Sequence, residues 1–140
     1  MNIGILGAGS IARQMAYTIS KMDNAINYAI ASRDYKKSQK FAKEFRVIKA
    51  YGSYEEMIKD PEVELVYIAT PHSLHYEHAK LCLNNGKHVL CEKAFTINEK
   101  QAEELFEIAK EKNLFITEAI WTRYMPMRKT LDDILESDVI

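Results

Sequence analysis

The sequence predicts an α/β protein built on a doubly wound parallel sheet. Two observations lead to this prediction. Short apolar runs rich in β-branched residues alternate with helical patterns along the 140 residues, and a glycine-rich turn directly follows the first run. Such alternation is typical of parallel strands joined by crossover helices. Ligands of these sheets bind beyond the carboxyl ends of the strands, so the residues that follow each strand are the first candidates for a site.

The hydrophobic pattern places the elements in order. Strands are predicted at residues 2–6, 27–32, 47–51, 64–70, 88–92 and 114–119. The fourth is almost continuously apolar, as expected of a strand that is covered on both faces. Helices are predicted over residues 10–22, 35–45, 53–60, 74–85 and 125–136, and a further helix begins at residue 98.

End signals support several of these helices. Ser53 and Asn98 suit the N-cap position, with Glu56 and Gln101 three residues later as in a capping box. Gly86 follows the fourth helix, where a left-handed residue commonly ends a helix. The helix that begins near Asn98 has an apolar face predicted to consist of Ala102, Leu105, Phe106 and Ala109.

Composition narrows the class of protein. A content of 47% hydrophobic and 28% charged residues is ordinary for a globular domain of this length. The net charge of −1 favours neither nucleic-acid nor membrane binding. The two cysteines, Cys82 and Cys91, lie in apolar contexts and are interpreted as reduced core residues. Together with the absence of a recognisable signal peptide, they favour a cytoplasmic location.

The turn after the first strand carries a dinucleotide-binding pattern, Gly7-Ala8-Gly9-Ser10-Ile11-Ala12. Gly7 permits the tight turn, Gly9 leaves room for a pyrophosphate, and the small Ala12 lets the helix pack close to the strand. Ser10 and Ile11 open the helix, whose N-terminal N–H groups would meet the phosphates. Because the pattern lies between a strand and a helix, we interpret it as a Rossmann-type dinucleotide site rather than as a glycine turn without a ligand.

The end of the second strand bears on the choice of dinucleotide. An NAD site usually has Asp or Glu there to bind the ribose 2′-hydroxyl. This chain has Ser32 and Arg33, and Asp34 comes one position later. A hydroxyl and a guanidinium suit the 2′-phosphate of NADP, which is the predicted cofactor, with NAD as the alternative. A surface pair between Arg33 and Asp34 is the structural alternative.

Three histidines follow the fourth strand. Thr70 and Pro71 end the strand, and His72, His75 and His78 come at intervals of three. We expect Thr70, Pro71, His72 and His75 to contact cofactor or substrate, with a purely structural role as the alternative for the histidines. His78 is interpreted as helix surface. No metal site is predicted, because no carboxylate or cysteine cluster accompanies the imidazoles.

Two further strand ends carry charged or aromatic residues. Glu92 and Lys93 follow the fifth strand, where Lys93 is either a solvated charge or a catalytic lysine. Trp121 and Arg123 follow the sixth, where they could frame the cofactor or serve as a core anchor and a surface charge.

The ordered motifs GAGSIA, ASRD, YGSYEEM, ATPHSLH, CEK and EAIWTRYMP resemble the Gfo/Idh/MocA oxidoreductase family, and most of all its branch of NADP-dependent diol and xylose dehydrogenases. The resemblance implies hydride transfer between a nicotinamide and a carbon of a sugar or diol. In the family's Glu-Lys-Pro motif the lysine lies beside the nicotinamide. Glu92 and Lys93 match it, which implies acid–base catalysis by Lys93 and an orienting role for Glu92. Ala94 replaces the proline, so the turn is expected to be less rigid.

The resemblance also implies a second, α+β domain that forms the substrate pocket and makes a homodimer. We expect residues 1–120 to be the cofactor domain and residues 121–140 to begin the connection to that second domain, which this chain lacks. A fragment of this kind is expected to be inactive alone. Two alternatives stay open at this point. One is a non-catalytic NADP-binding sensor or interaction module. The other is a short-chain dehydrogenase, whose Tyr-x-x-x-Lys motif Tyr76 and Lys80 would match as a string.

Overall fold

The computed structural model describes residues 1–137, which contain a sheet of six parallel strands. The strands are β1 (Asn2–Leu6), β2 (Ile26–Ala31), β3 (Lys49–Tyr51), β4 (Leu65–Ile68), β5 (His88–Cys91) and β6 (Ile116–Glu118). The helices are α1 (Ser10–Ile19), α2 (Tyr35–Phe45), α3 (Tyr54–Lys59), α4 (His75–Asn84), α5 (Glu99–Glu111) and α6 (Pro126–Glu136). Short 3-10 helices span His72–Leu74 and Trp121–Tyr124.

The strand order is β3-β2-β1-β4-β5-β6, with every neighbouring pair parallel. This order confirms the doubly wound Rossmann sheet. The chain moves outward from β1 to β3, crosses back to β4 and then moves outward again to β6. Because the crossovers of parallel strands are right-handed, α1 and α2 cover one face of the sheet and α3 to α5 cover the other.

The element bounds differ from the predictions mainly by shortening. The first helix ends at Ile19 instead of residue 22, because the next amides switch to tighter bonds. Lys21 N–H donates to Thr18 O and Met22 N–H to Ile19 O, both three residues back, so the α-helical ladder does not continue. Strands β3 to β6 are also shorter than the runs that predict them, since an apolar run marks burial rather than ladder pairing, and β2 keeps its length but begins one residue earlier.

The predicted helix ends are confirmed at the level of single bonds. The hydroxyl of Ser53 accepts from Glu56 N–H, and the side chain of Asn98 accepts from Gln101 N–H. The Gln101 side chain accepts from Ile97 N–H, one residue before the N-cap. Gly86 has a φ of 74° and lies just past the end of α4. Each cap satisfies backbone groups that the helix itself leaves without partners.

Two cores pack on the two faces of the sheet. The larger core joins β4 and β5 to α3, α4 and α5, and the smaller joins β1 and β2 to α1 and α2. Phe106 was predicted to lie on the buried face of α5, but this was wrong: it is exposed, and its ring packs 5.5 Å from that of Phe95. The buried stripe of α5 is narrower and consists of Leu105 and Ala109. Within residues 1–137 no helix combines the length and apolarity needed to cross a membrane.

A polar cluster links strand β3 to the end of helix α3. Asp60, almost fully buried, accepts from Lys49 Nζ at 2.8 Å and from the Tyr51 hydroxyl at 2.6 Å. Burial raises the pKa of Asp60, but the hydrogen bonds from Lys49, Tyr51 and Glu62 N–H outweigh this and lower it to about 2. Burial is the largest cause that raises the pKa of Tyr51, and the hydrogen bond to Asp60 adds to it, giving a pKa of about 12.

We expect this cluster to make the fold sensitive to acid. The folded-state pKa of Asp60 is lowered, so its contribution is complete above the unfolded pKa and is lost as the pH falls from about 4 to about 2. The loss should be about 2 kcal/mol of unfolding free energy. Urea unfolding at several pH values, compared between the parent chain and Asp60→Asn, measures it. An equally steep acid dependence in the variant would assign the effect to other carboxylates.

Candidate functional site

The glycine turn closes the carboxyl end of β1 against the end of β4. Gly7 has a φ of 99°, and a Cβ at this position would lie 2.8 Å from the carbonyl oxygen of Ala69. Its N–H donates to Ala31 O at 2.9 Å, which ties the turn to β2 as well. Only glycine combines this conformation with so close an approach. The turn therefore directs the chain from β1 into α1 beside the ends of both neighbouring strands.

A groove of about 510 Å³ runs along these strand ends, and we call it the glycine-loop groove. It lies at the point where the strand order reverses, between β1 and β4, which is where nucleotides bind in open α/β sheets. Its lining is Gly7, Ala8, Gly9, Ser10, Ile11, Ser32, Arg33, Asp34, Lys37, Tyr54, Ala69, Thr70 and Pro71. Most of the predicted cofactor residues lie together here.

Gly9 and the start of α1 form the floor of the groove. Gly9 is the N-cap of α1, and apart from its chain neighbours no described residue comes within 4 Å of a Cβ built on it. Glycine has no side chain to accept from the first N–H groups of the helix, so these donors and the positive end of the helix dipole face the groove. Ala12 is fully buried against the sheet, as its small size predicts. The floor suits an anion such as a pyrophosphate.

Two cations lie where the groove passes the end of β2. Arg33 and Lys37 both line it, and both are exposed. The carboxylate of Asp34 is used elsewhere: it caps α2 by accepting from Lys36 N–H at 3.0 Å and from Lys37 N–H at 3.3 Å. Among residues 1–137 no carboxylate lies within ion-pair distance of Arg33. Arg33 and Asp34 therefore do not form the surface ion pair that was the structural alternative.

Ser32 is buried and organises this corner. Its hydroxyl donates to Asp34 O at 2.6 Å and accepts from Ser38 at 3.1 Å. These bonds shape the loop that carries Arg33, so Ser32 lines the groove mainly as a support.

The histidines after β4 lie in different environments. His72 is exposed in a 3-10 helix beyond the groove lining. His75 is fully buried, with Nε2 2.9 Å from Thr70 O and Nδ1 2.7 Å from Ala94 O. Direct contact of His75 with a ligand, as predicted, is corrected to an indirect role, because the ring lies behind the loop that lines the groove.

His78 was wrongly interpreted as helix surface. It is half-buried, with Nδ1 2.9 Å from the Thr70 hydroxyl, and its ring meets that of Tyr54 edge-on at 4.9 Å. Burial lowers the pKa of His78, which favours the neutral ring. Both Thr70 and Tyr54 line the groove, so His78 supports its wall. Among the described residues no group of three or more His, Cys, Asp or Glu could hold a metal ion.

The turn after β5 carries the exposed Lys93. Next to it, Glu92 accepts from the Tyr67 hydroxyl at 2.5 Å through Oε1 and from Lys93 N–H at 3.3 Å through Oε2. Tyr67 is buried in β4, and burial together with this bond raises its pKa, so the phenol remains a donor. Glu92 is thus engaged on both oxygens, in keeping with an orienting role.

An apolar hollow of about 640 Å³ adjoins the groove, and we call it the sheet-face hollow. It lies over Leu90 of β5 and over Ala119, just after β6, and residues of α1 such as Met15 also line it. Ile11 lines both spaces, so they adjoin at the start of α1. Glu92 and Trp121 also line the hollow, whereas Arg123 lies beside Phe95 in a separate depression. A flat, apolar ring could therefore lie next to the turn that carries Lys93.

The Tyr76 and Lys80 pair is part of helix packing. The Tyr76 hydroxyl and Lys80 Nζ both donate to the Glu104 carboxylate at 2.6 Å, which links α4 to α5. This bond to Glu104 raises the pKa of Lys80, so its ammonium is retained as a structural cation. The short-chain dehydrogenase alternative therefore has no support in the geometry.

Sequence reasoning missed three residues that line these spaces: Lys37 and Tyr54 in the groove and Tyr67 in the hollow. A signal existed for Lys37, a basic residue in the first turn of the helix that begins just after Arg33. For Tyr67 the sequence offers no comparable signal, since its partner Glu92 lies 25 residues away.

Comparison with known proteins agrees with this site. Residues 1–119 match a family described as an oxidoreductase family with an NAD-binding Rossmann fold. The chain belongs to the Gfo/Idh/MocA oxidoreductase family. The match covers the six strands, the glycine turn and the Glu92-Lys93 turn, and thus confirms the resemblance on which the sequence interpretation rests.

Several members of the family are close relatives. The mouse trans-1,2-dihydrobenzene-1,2-diol dehydrogenase is 40% identical over 139 residues, which are 98% of this chain and 42% of the relative. The D-xylose 1-dehydrogenase (NADP⁺) of Hypocrea jecorina is 50% identical over 92 residues, 66% of this chain and 24% of that protein. The chain therefore spans well under half of these dehydrogenases.

A solved structure shares the whole described fold. The 3-ketoreductase KijD10 from Actinomadura kijaniata, in complex with NADP and TDP-benzene, superposes with a TM-score of 0.94 at 30% identity. The match covers 100% of this chain and 44% of that one.

Proposed function

We propose that this chain is the cofactor-binding part of an NADP-dependent oxidoreductase that transfers hydride between the nicotinamide and a hydroxyl-bearing carbon of a sugar or vicinal diol. The observation that carries the proposal is the glycine-loop groove, which opens onto a helix N-terminus at one point and onto Arg33 and Lys37 at another. A dinucleotide with an additional phosphate has anionic groups for both points. The relatives named above, a diol dehydrogenase, a xylose dehydrogenase and a ketoreductase, support the substrate class.

Preference for NADP over NAD rests on charge. The 2′-phosphate needs cations that are not already neutralised, and a carboxylate near the ribose would repel it. Arg33, in the loop before α2, offers the bidentate guanidinium that suits a phosphate, and Lys37 in the first turn of α2 adds a second positive charge. Asp34, which a 2′-hydroxyl could otherwise use, is committed to the N-terminus of α2.

Lys93 is proposed as the acid–base residue. Bound NADP supplies the hydride chemistry, and the protein must move a proton to or from the substrate oxygen. Lys93 follows Glu92, which lines the sheet-face hollow, and its ammonium can donate that proton and take it back. A lysine beside an oxidised nicotinamide would hold its proton less tightly, which suits exchange near neutral pH. Glu92 orients the turn through Tyr67 and Lys93 N–H.

The proposal also covers the rest of the protein and its place of action. The substrate pocket and a homodimer interface would come from a second domain, as the 42% coverage of the diol dehydrogenase allows. Residues 1–120 would be the cofactor domain and residues 121–140 the beginning of the connection, of which residues 138–140 lie outside the described part. The place of action would be the cytoplasm.

Fluorescence titration with NADPH and NADH tests the cofactor assignment. We expect NADPH to bind more tightly, and Arg33→Ala to weaken NADPH binding by about 10- to 100-fold while changing NADH binding little. Lys36→Ala is the matched control, because Lys36 is an exposed cation three residues after Arg33, in the first turn of α2, and does not line the groove.

Three other results of this titration would contradict parts of the proposal. Equal affinities for the two dinucleotides in the parent chain would overturn the NADP preference. Loss of NADPH affinity in Lys36→Ala as large as in Arg33→Ala would reduce Arg33 to a general surface charge. No binding of either dinucleotide by a folded chain would overturn the proposed function itself.

A further inference from the structure

The peptide group that follows Lys93 and Ala94 is held at both ends by side chains from other elements. The carbonyl oxygen of Ala94 lies 2.7 Å from Nδ1 of His75, at the start of α4. The N–H of Phe95, which belongs to the same peptide group, donates to Glu118 Oε1 at 2.8 Å, at the end of β6. The His75 imidazole thus lies against the oxygen of this peptide unit, and the Glu118 carboxylate accepts from its nitrogen.

We infer that His75 and Glu118 form a clamp that positions Lys93, an inference that rests on the proposed role of Lys93. Neither side chain touches the lysine. Each fixes the backbone one or two residues beyond it, where the family's Glu-Lys-Pro motif would have a proline ring and this chain has alanine. The hydrogen bond from Phe95 N–H to Glu118 and the close contact of the His75 ring with Ala94 O restrict the orientation of this peptide unit, as a proline would restrict φ. The clamp therefore replaces covalent stiffness with tertiary contacts.

The burial of the clamp makes it stiff. His75 is fully buried, and its second nitrogen lies 2.9 Å from Thr70 O, so the ring cannot turn without losing both contacts. Thr70 lines the glycine-loop groove. The same ring therefore links the wall of the groove to the lysine turn, and sets the distance between the cofactor site and the proposed acid. Glu118 is half-buried at the edge of the sheet, where solvent can compete for it less than on the surface.

The first test asks whether the clamp orders the turn. In Glu118→Ala, amide hydrogen exchange at Phe95 should speed up by about 10-fold or more, since a hydrogen bond to a carboxylate is lost. Glu118→Gln keeps an oxygen acceptor of the same shape and should retain most of the protection. Glu103→Ala, which removes an exposed glutamate of α5, is the matched control and should leave Phe95 unchanged.

The second test asks whether ordering the turn positions the lysine. The protein is labelled with isotopes at its lysines. The NMR chemical shift of the Lys93 ε-methylene group should differ between the NADP⁺ and NADPH complexes, because the two nicotinamides differ by one charge. In Glu118→Ala this difference should fall to about half or less, with NADPH affinity within about threefold of the parent. Glu118→Gln should restore the difference.

The outcomes separate the clamp from the proposed function. No difference between the two complexes in the parent chain would contradict the placement of Lys93 beside the nicotinamide, and the proposed function would fail first. A normal difference in the parent that persists in Glu118→Ala would overturn the clamp alone. Should Glu118→Ala not fold, Glu118→Leu, which keeps the side-chain volume, takes its place with the same expected results.

Discussion

Replacing Gly9 by aspartate is expected to abolish NADPH binding while leaving the fold intact or slightly more stable. The new carboxylate would be a good N-cap for α1 and would lie favourably at the positive end of the helix, a gain of about 0.3 to 1 kcal/mol in unfolding free energy. It would also occupy the space that is open above Gly9, with a charge that repels a pyrophosphate. We expect NADPH affinity to fall by more than about 100-fold.

Gly9→Asn provides the control for this experiment. Asparagine has nearly the same shape and is also a good N-cap, so it separates the effect of charge from that of volume. A smaller loss of affinity in Gly9→Asn than in Gly9→Asp would assign the difference to electrostatic repulsion. NADPH binding by Gly9→Asp at the parent affinity would mean that the phosphates do not lie at the start of α1. Fluorescence titration measures affinity, and urea unfolding measures stability.

Replacing Gly7 by alanine is expected to lower the unfolding free energy by about 2–4 kcal/mol. Two effects add at this position. An L-residue is disfavoured at a φ of 99°, and the new Cβ would lie 2.8 Å from Ala69 O, a backbone atom that can yield only if β4 shifts. Urea unfolding of the parent and the variant, monitored by circular dichroism, gives the difference directly.

Gly86→Ala is the matched control for the steric part. Gly86 also has a positive φ, 74°, but apart from its chain neighbours no described residue comes within 4 Å of a Cβ built there. Its loss should be about 1 kcal/mol, the conformational cost alone. Equal losses for the two variants would show that the turn after β1 accommodates the methyl group, and that close packing of Gly7 against β4 contributes little.

Local signals were sufficient for much of the fold. The alternation of apolar runs with helical patterns predicted six parallel strands, and Ser53, Asn98 and Gly86 act as helix ends where the sequence placed them. These features depend on residues a few positions apart, whose spacing can be read directly. Bounds were less accurate, as at the end of α1, since a helix ends where hydrogen-bond geometry changes rather than where the apolar pattern stops.

The sequence by itself determined the glycine turn, the strand ends and the identity of the residues that can meet there. Only the tertiary structure decided how they work together. In the folded chain Asp34 caps α2, whereas Arg33 and Lys37 line the groove. His75 contacts the carbonyl oxygen of Ala94 from inside the protein. Glu118 accepts a hydrogen bond from Phe95 N–H. The reason is physical. A hydrogen bond between residues 19 or 23 positions apart requires an orientation that the packing of helices against the sheet creates, and local periodicity contains no information about it.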